Sequence, residues 1–425
     1  MSILDVERVR ADFPFFGNHA DGDPPLVYLD SAATSLKPQA VIDAVQNYDR
    51  HLSSNVSRGG YALARATTGA YEEARAKVAE FIHAASPEEV VFTKNATEAL
   101  NLVANVLAWA DQPHRIGRGD GITLTEMEHV SNIIPWQLVA EHTGAVVTYL
   151  GITDDGRLDL SRLDEQITAR TKAVGITHVS NTLGSVNPVS AVVARARQVG
   201  ALVVLDCSQS APHLDLDVRT LGADLVVFTG HKICGPTGVG VLWGRRELLV
   251  SLPPFLGGGS MTENVTCAGS RFTAPPWRFE AGTPPIAQAI GLGAAVDYLS
   301  GIGMRSVTAH NQNLADYALK HLQSIDGLHV VGPVDTADRA PIVSFVIDDT
   351  DADELGELLD NQHVAVRVGR QCAHLVCARF KVPTVVRASF HLYNDTDDVD
   401  ALVSALRHER TPLDTQAVRH AEATA

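Results

Sequence analysis

Short apolar runs alternate with longer stretches of helical periodicity over the first two thirds of the chain. Runs rich in Val, Leu and Ile are typical of strands that are buried on both faces of a parallel sheet. Such runs occupy residues 26–29, 90–93, 122–124, 146–150, 173–176, 201–205 and 224–228, and stretches with helical spacing include residues 38–50, 62–83 and 286–298. This alternation predicts parallel βαβ units, while a further run at 239–243 predicts an antiparallel edge strand.

The pattern changes after residue 301, where a long helical stretch is followed by shorter elements. Helices are predicted at residues 304–325, 353–362 and 396–410, and strands at 329–331, 342–347, 364–368 and 386–390. The predicted fold class is therefore α/β, with a mainly parallel sheet flanked by helices and a smaller α+β domain. We expect a large domain at residues 20–295, a small domain formed by 1–19 and 296–412, and a disordered tail at 413–425.

Composition narrows the class of protein. With 425 residues, 45% of them apolar, the chain is long enough for two lobes. Its formal net charge of −16 argues against binding to nucleic acid or to an anionic membrane. No run approaches the roughly 18 apolar residues of a membrane helix, and residues 1–16 lack the apolar core of a signal peptide. We therefore expect a soluble, cytoplasmic protein.

The cysteines predict neither disulfides nor a metal site. There are five of them at irregular spacing, without a CxxC pair, so they do not form a disulfide framework. Cys372, His374 and Cys377 lie close together in sequence. Because no second pair of ligands accompanies them, we expect no metal.

Two strands of the predicted sheet end in residues that carry chemistry. Asp206 ends the first, and Thr229, His231 and Lys232 end the next. In open α/β sheets, ligands bind in the crevice beyond the carboxyl ends of the strands. Pyridoxal phosphate needs such a pair, because a lysine amine binds its aldehyde and a carboxylate keeps its ring nitrogen protonated. The alternative is a strand-end acid and a surface lysine that never meet.

Other strand ends add polar groups. A turn at 94–98 opens a helix, where free N–H groups and the Thr97 hydroxyl favour phosphate, although an ordinary helix N-cap has the same sequence. His129 follows another strand and suits stacking on a planar ring or moving a proton, although a lone histidine is more often a polar surface residue. Asn181 also follows a strand, and the small residues around Ala32 allow the backbone to approach a ligand.

Seven segments taken together resemble one known family. They occupy residues 28–33, 95–102, 128–137, 206–209, 230–232, 280–284 and 387–390, and read YLDSAA, NATEALNL, EHVSNIIPWQ, DCSQ, GHK, EAGTP and RASF. In this order they resemble the Suf-type cysteine desulfurases and selenocysteine lyases of the class V aminotransferase fold. The resemblance covers about residues 5–410. It implies the fold-type I architecture of pyridoxal phosphate (PLP) enzymes and a homodimer whose active sites lie at the subunit interface.

The resemblance also implies a role for each matching residue. Lys232 corresponds to the Schiff-base lysine, Asp206 to the acid on the pyridine nitrogen, Gln209 to the amide on the phenolic oxygen, and His129 to the ring-stacking histidine. The phosphate would be held by Ala96, Thr97, Thr229, His231 and, from the partner subunit, Thr283. Substrate would be bound by Ala32, Asn181 and Arg387, where a guanidinium suits a carboxylate because it forms two parallel hydrogen bonds.

Cys372 matches the catalytic thiol of the family. The implied reaction converts L-cysteine to L-alanine, leaves a persulfide on this thiol, and passes the sulfur to an acceptor protein. The sulfur would serve iron–sulfur cluster assembly or the synthesis of another sulfur compound, and L-selenocysteine fits the same clamp. Such a thiol must be partly exposed and able to lose its proton. Without the resemblance, a buried inert cysteine is the commoner case.

The residues around this thiol depart from the family pattern, in which two histidines commonly precede it and Gln-Pro often follows. These positions hold Arg370, Gln371, His374 and Leu375, and Ser57 replaces a histidine near the interface loop. The charge of Arg370 favours a thiolate, and Cys377 is either a resolving thiol or an incidental cysteine. Two alternatives follow for the whole protein. One is a C–S or C–Se lyase or an epimerase of the same fold, and the other is a catalytically weak scaffold.

Overall fold

The computed structural model describes residues 4–17 and 25–408. Its strands are β1 (Val27–Tyr28), β2 (Val90–Thr93), β3 (Gly121–Thr125), β4 (Val146–Leu150), β5 (Thr171–Thr177), β6 (Leu202–Asp206), β7 (Leu225–Thr229), β8 (Gly240–Gly244), β9 (Thr262–Thr266), β10 (Gly269–Phe272), β11 (Leu328–Val331), β12 (Ile342–Ile347), β13 (Val364–Ala365), β14 (Arg367–Gly369) and β15 (Val385–Ser389). Its helices are α1 (Val6–Ala11), α2 (Gln39–Asn47), α3 (Ala62–Phe81), α4 (Ala96–Trp109), α5 (Ile134–Thr143), α6 (Leu163–Gln166), α7 (Val189–Val199), α8 (Val218–Leu221), α9 (Arg246–Ser251), α10 (Ile286–Ile302), α11 (Met304–Leu322), α12 (Ala352–Asn361), α13 (His374–Phe380) and α14 (Thr396–His408).

A seven-stranded sheet forms the centre of the larger part of the molecule. Its order is β2-β8-β7-β6-β5-β3-β4, and β8 runs antiparallel to both of its neighbours while the other paired strands are parallel. The predicted α/β fold is confirmed. The predicted edge position of β8 is wrong, because Trp243 faces Val90 of β2 on one side and Val226 of β7 on the other. The apolar residues of β8 are all buried, so both of its edges are covered and β2 becomes the edge strand.

Helices cover both faces of this sheet. On one face, residues of α3, α7 and α10 pack against Val226 and Phe228 of β7. On the other face, residues of α4, α5 and α9 pack against Leu225 and Val227 of the same strand. Because successive side chains of a strand point to opposite faces, a strand covered on both sides is apolar throughout. This explains why the central strands appear in the sequence as unbroken apolar runs.

A second, antiparallel sheet has the order β11-β12-β15-β14. Its apolar side packs against α11, α12 and α14, around residues such as Phe345. The run predicted as one strand at 364–368 is two short strands, of which β13 pairs with β1 and β14 pairs with β15. From the sequence, β1 was assigned to the large domain, but the strand pairs with the C-terminal part of the chain. Asp30, two residues after β1, extends this pairing through a backbone β-bridge to Ser389.

The domain bounds remain a prediction, and the tail at 413–425 lies outside the described residues. Within the described ranges, no single helix is both long and apolar enough to cross a membrane. The pair α10 and α11 has that length and composition only when the two helices are taken together, and they are bent by 76°.

Candidate active site

The carboxyl ends of the parallel strands open onto a cavity of about 600 Å³. Every residue predicted for the site lines this cavity except Thr283. Asp206 and Lys232 therefore face the same space, and the alternative in which they never meet is wrong. Thr283 lies elsewhere, 3.4 Å from the Asn55 side-chain nitrogen, and its assignment to the cavity of a second subunit stays a prediction.

Lys232 follows β7 in a short 3-10 turn, Gly230–Lys232, and is partly buried. Burial lowers the pKa of its amine to about 8, against the attraction of Asp206, which acts in the opposite direction. The carbonyl oxygen of His231 accepts hydrogen bonds from the Ser35 amide at 2.9 Å and the Ser35 hydroxyl at 3.0 Å. The turn is thus held rigidly, and its amine reaches the neutral, nucleophilic form close to neutral pH.

Asp206 ends β6 and accepts a hydrogen bond from the Ser208 amide at 2.9 Å. Gln209, one turn later, donates its side-chain N–H to the carbonyl oxygen of Ala32 at 2.8 Å. The other amide atom of Gln209, Oε1, and the hydroxyl of Thr229 are buried and make no hydrogen bond among the described residues. Buried polar atoms normally have partners. Their position in the cavity indicates that a polar ligand supplies the missing ones.

The turn before α4 both caps the helix and contributes to the cavity, the two roles considered for it in the sequence. Asn95 caps the helix by accepting the Glu98 amide at 2.9 Å, so the N-cap interpretation is correct for this residue. Thr97 nevertheless lines the cavity, and its hydroxyl lies 2.8 Å from that of Ser131. The start of a 14-residue helix and two hydroxyls are favourable to an anion.

His129 is held in one tautomer. Its Nδ1 accepts a hydrogen bond from the Ser131 amide at 3.1 Å, so the ring proton resides on Nε2. Burial, together with the positive charge of Lys232, lowers the pKa of the imidazole to about 4. The ring is therefore neutral at physiological pH and offers a flat, uncharged surface to the cavity.

Glu128 lies behind His129 and was not predicted as a site residue. It is fully buried, and burial raises the pKa of its carboxyl to about 8. It accepts hydrogen bonds from the Asn132 side chain and from the Thr177 amide, both at 2.7 Å. The carboxyl thus ties the end of β3 to the end of β5. In the sequence, Glu128 was marked only by its place at the start of the segment 128–137, directly before His129.

Two arginines share one acid at the opposite wall. Arg387, on β15, donates Nη1 to the Asn181 carbonyl at 3.0 Å and pairs through Nη2 with Asp30 at 3.3 Å. Arg367, on β14, grips the same carboxylate at 2.8–3.1 Å. Burial lowers the pKa of Arg387 to about 10, which still leaves it cationic at pH 7. Its buried Nε makes no hydrogen bond within the described ranges, so a donor remains for a ligand.

Arg367 and Asp30 were also missed as functional residues. Asp30 stood inside one of the seven segments, and Arg367 stood inside an apolar run that appeared to be an ordinary strand. Only the pairing of β14 with β15 brings Arg367 opposite Arg387.

Cys372 stands at the entrance of the cavity and is exposed, unlike an inert buried cysteine. Both Gln371 and Cys372 have left-handed backbones, with φ of 53° and 54°. For residues other than glycine this costs roughly 1–2 kcal/mol each. The Val130 amide donates to the Cys372 carbonyl at 2.9 Å, and the Asn181 side chain donates to the Gln371 carbonyl at 2.7 Å. These two bonds hold the strained segment against the cavity.

Arg370 and Cys377, the two residues near the thiol that were considered in the sequence, differ in exposure. Arg370 is exposed and donates its Nε to the Pro383 carbonyl at 3.3 Å. Cys377 is buried in α13, and burial raises the pKa of its thiol. That environment is typical of an incidental helix cysteine and unfavourable to a resolving thiol. Among the described residues, no group of three or more His, Cys, Asp or Glu side chains is arranged to hold a metal ion.

Comparison with known proteins shows the family of this chain. The model of the class V aminotransferases matches residues 27–402. A probable cysteine desulfurase of Streptomyces coelicolor is 54% identical over 408 residues, which cover 96% of this chain and 98% of the relative. The chain belongs to the cysteine desulfurases of the class V aminotransferase family. A cysteine desulfurase of Haloferax volcanii is 46% identical, over 95% of this chain and 96% of the relative.

Solved structures of desulfurases have the same fold. The apo structure of the cysteine desulfurase from Thermococcus onnurineus is 37% identical, with a TM-score of 0.90 over 97% of this chain and 99% of the other. A cysteine desulfurase from Escherichia coli is 35% identical, with a TM-score of 0.87 over 96% and 98% of the two chains. A protein at 22% identity, solved with glycine linked to its PLP cofactor, shares the fold at a TM-score of 0.79.

The cavity of this class V aminotransferase fits PLP. A lysine amine for the aldehyde of PLP and a buried carboxylate for its ring nitrogen line the same cavity. A helix start with the Thr97 hydroxyl suits the phosphate. The unpaired Thr229 hydroxyl and Gln209 oxygen gain partners when such a ligand is present. PLP is thus the cofactor of this protein, and the roles of the individual residues are proposals.

Proposed function

We propose that this protein is a PLP-dependent desulfurase of L-cysteine that carries the sulfur as a persulfide on Cys372. One observation carries the proposal. An exposed thiol lines the same cavity as a lysine whose pKa is lowered to about 8 and a buried arginine with a free donor. The first group accepts sulfur, the second reacts with a carbonyl, and the third binds a carboxylate.

The amino-acid carboxylate binds at Arg387. The guanidinium is already oriented by the Asn181 carbonyl and by Asp30, so little side-chain freedom is lost on binding. Its free Nε and the Asn181 side chain supply donors to the carboxylate. L-selenocysteine has the same carboxylate and amine, and we include it among the substrates.

PLP, when bound, draws electrons from the α-carbon of the substrate. Lys232 would hold it, Asp206 would keep its ring nitrogen protonated, Gln209 would bond its phenolic oxygen and the neutral His129 would stack on its ring. Its phosphate would be held by Ala96, Thr97, Thr229, His231 and, from a second subunit, Thr283.

The protein supplies the groups that move sulfur and protons. The Cys372 thiolate attacks the sulfur of the substrate, an S–S bond forms, and the bond between sulfur and the β-carbon breaks. The β-carbon keeps the electron pair of the broken bond and takes up one proton, so that L-alanine leaves and no external oxidant is needed. Lys232, with a pKa of about 8, is suited to carry a proton at the α-carbon. The persulfide then passes to an acceptor protein, for iron–sulfur clusters or another sulfur compound, in a cytoplasmic homodimer.

The test measures alanine and sulfide released from L-cysteine in the presence of dithiothreitol, for the wild type and for Cys372→Ser. We expect equal amounts of both products from the wild type and neither from the variant. Cys377→Ser, which alters a buried thiol of α13, is the matched control and should retain the reaction.

Two other outcomes would point elsewhere. Pyruvate or alanine released by Cys372→Ser would indicate a lyase that eliminates directly. A purified protein without the yellow absorbance of bound PLP would indicate a scaffold.

A further inference from the structure

The loop that carries the thiol is fixed to the cavity at two backbone oxygens. The carbonyl of Cys372 accepts the amide of Val130, next to His129, and the carbonyl of Gln371 accepts the side-chain nitrogen of Asn181 at 2.7 Å. The two donors follow two different strands of the large sheet, β3 and β5. The bond from Val130 is made by the backbone, whereas the bond to Gln371 is made by the buried side chain of Asn181.

Asn181 also touches the arginine that we assign to the substrate carboxylate. Its own carbonyl accepts Nη1 of Arg387 at 3.0 Å. A side-chain amide nitrogen carries two hydrogens, and the bond to Gln371 uses one of them. One residue therefore connects the carboxylate position with the thiol loop and keeps a hydrogen for the substrate.

We propose that Asn181 is the positioning residue of the catalytic thiol, in addition to its part in the carboxylate clamp. Its amide holds Gln371 and Cys372 in left-handed backbones that such residues rarely adopt alone. Without that bond the segment relaxes, and the thiol leaves the position from which it reaches the substrate sulfur. This inference rests on the proposed function, because it assigns a reacting role to Cys372.

The experiment compares Asn181→Ala with Asn187→Ala. Asn187 is a matched control, since it is buried, follows the same strand, and donates its side-chain nitrogen to the Thr177 carbonyl at 2.8 Å without touching the thiol loop. Hydrogen–deuterium exchange is measured on the PLP-loaded, substrate-free proteins. We expect Asn181→Ala to speed exchange at least fivefold in the peptide containing residues 370–373 and at the Val130 amide, and Asn187→Ala to leave both as in the wild type.

A kinetic readout separates positioning from carboxylate binding. Loss of a carboxylate contact alone raises KM, whereas a misplaced thiol also lowers the rate of the first turnover at saturating L-cysteine. We expect persulfide formation on Cys372 to slow at least tenfold in Asn181→Ala. Wild-type exchange in the loop, or an unchanged saturating rate, would overturn the proposal.

The two measurements distinguish a failure of the Asn181 proposal from a failure of the proposed function. If the wild type forms no persulfide, the proposed function fails, and the exchange comparison alone decides the structural role of Asn181. Should Asn181→Ala not fold, Asn181→Asp keeps the side-chain volume, removes the donor hydrogens, and enters the same comparison.

Discussion

Arg387 is held on two sides, which makes its geometry difficult to replace. Lysine retains the charge at this position but lacks the planar fork that reaches the Asn181 carbonyl, Asp30 and a ligand together. Hydrogen bonds to charged groups contribute about 1.5–3 kcal/mol. We therefore expect Arg387→Lys to raise the KM for L-cysteine by roughly 10- to 100-fold, measured by initial rates of alanine release, with PLP absorbance unchanged.

Arg367→Lys is the companion variant. Arg367 grips the same Asp30, but about half of its side chain is exposed. Its contribution is screened by solvent, so we expect an increase in KM of less than about fivefold. Equal effects of the two variants would contradict the assignment of the carboxylate clamp to Arg387.

Lys232 gives the site a definite pH dependence. Burial holds its pKa at about 8, below its ordinary value, so the neutral amine fraction rises about tenfold per pH unit up to pH 8 and then levels. The rate at which PLP-free protein takes up added PLP, followed by absorbance, should show that midpoint. Asp206 acts to raise the pKa of Lys232, so Asp206→Asn should move the midpoint to lower pH. A midpoint that stays in place or moves upward would show that the two side chains are not electrostatically coupled.

At the scale of residues, the sequence predicted most of the cavity because parallel strands end at one edge. Asp206 and Lys232 follow adjacent strands, and their meeting requires only that rule. The rule about strand ends did not predict Glu128 or Arg367, for different reasons. Glu128 looks like any acid after a strand until burial raises its pKa, and Arg367 reaches the site only through the register of β14 on β15.

Among the elements, α3 and the segment at 280–284 are joined by a buried ion pair. Arg75 is buried and donates to the two carboxylate oxygens of Glu280 at 2.6 and 2.9 Å, and Tyr71 and the Phe92 amide donate to the same carboxylate. Removal of Glu280 leaves the buried Arg75 with the partly exposed Glu72 as an acidic partner, and the loss of one partner of a buried pair costs up to about 3–5 kcal/mol. We expect Glu280→Ala to lower the urea midpoint of unfolding accordingly, followed by circular dichroism.

The control for this pair is an exposed one on the same helix. Lys77 pairs with Glu73 and Asp297 at 2.9 Å, and both carboxylates are largely exposed. Exposed pairs contribute about 0–1 kcal/mol, so Lys77→Met should shift the midpoint little. Similar shifts in the two variants would mean that the Arg75–Glu280 pair is not an important link to the 280–284 segment.

The elements themselves were predictable where burial imposes a pattern. Strands β2, β4 and β12 begin and end at the predicted residues, because each is a short run of mainly apolar and β-branched residues. The hairpin β9–β10 was missed because almost all of its residues are exposed, so no alternation of apolar and polar positions marks it. The edge position of β8 was misjudged because one strand's sequence does not show which strand lies beyond it.

At the scale of the whole molecule, two features favour a second copy of the chain. Thr283, expected in the phosphate site, lies outside the cavity of its own subunit. Asn55, whose side chain lies next to Thr283, is followed six and eight residues later by Tyr61 and Leu63, which are 55% and 39% exposed. Exposed apolar side chains mark an interaction surface when they lie together in one patch. We therefore expect a homodimer in which this region of one subunit approaches the cavity of the other.

The test replaces both side chains, Tyr61→Asp and Leu63→Asp. A carboxylate buried without a partner costs several kcal/mol, so the dimer should weaken by at least about 100-fold and dissociate at micromolar concentration in analytical ultracentrifugation. PLP should leave with it on dilution, because the phosphate loses Thr283. Val334→Asp, at an apolar residue 58% exposed in the C-terminal part, is the control and should remain a loaded dimer. A wild type that sediments as a monomer and keeps its PLP would show instead that one subunit completes the site, with Thr283 playing no part in it.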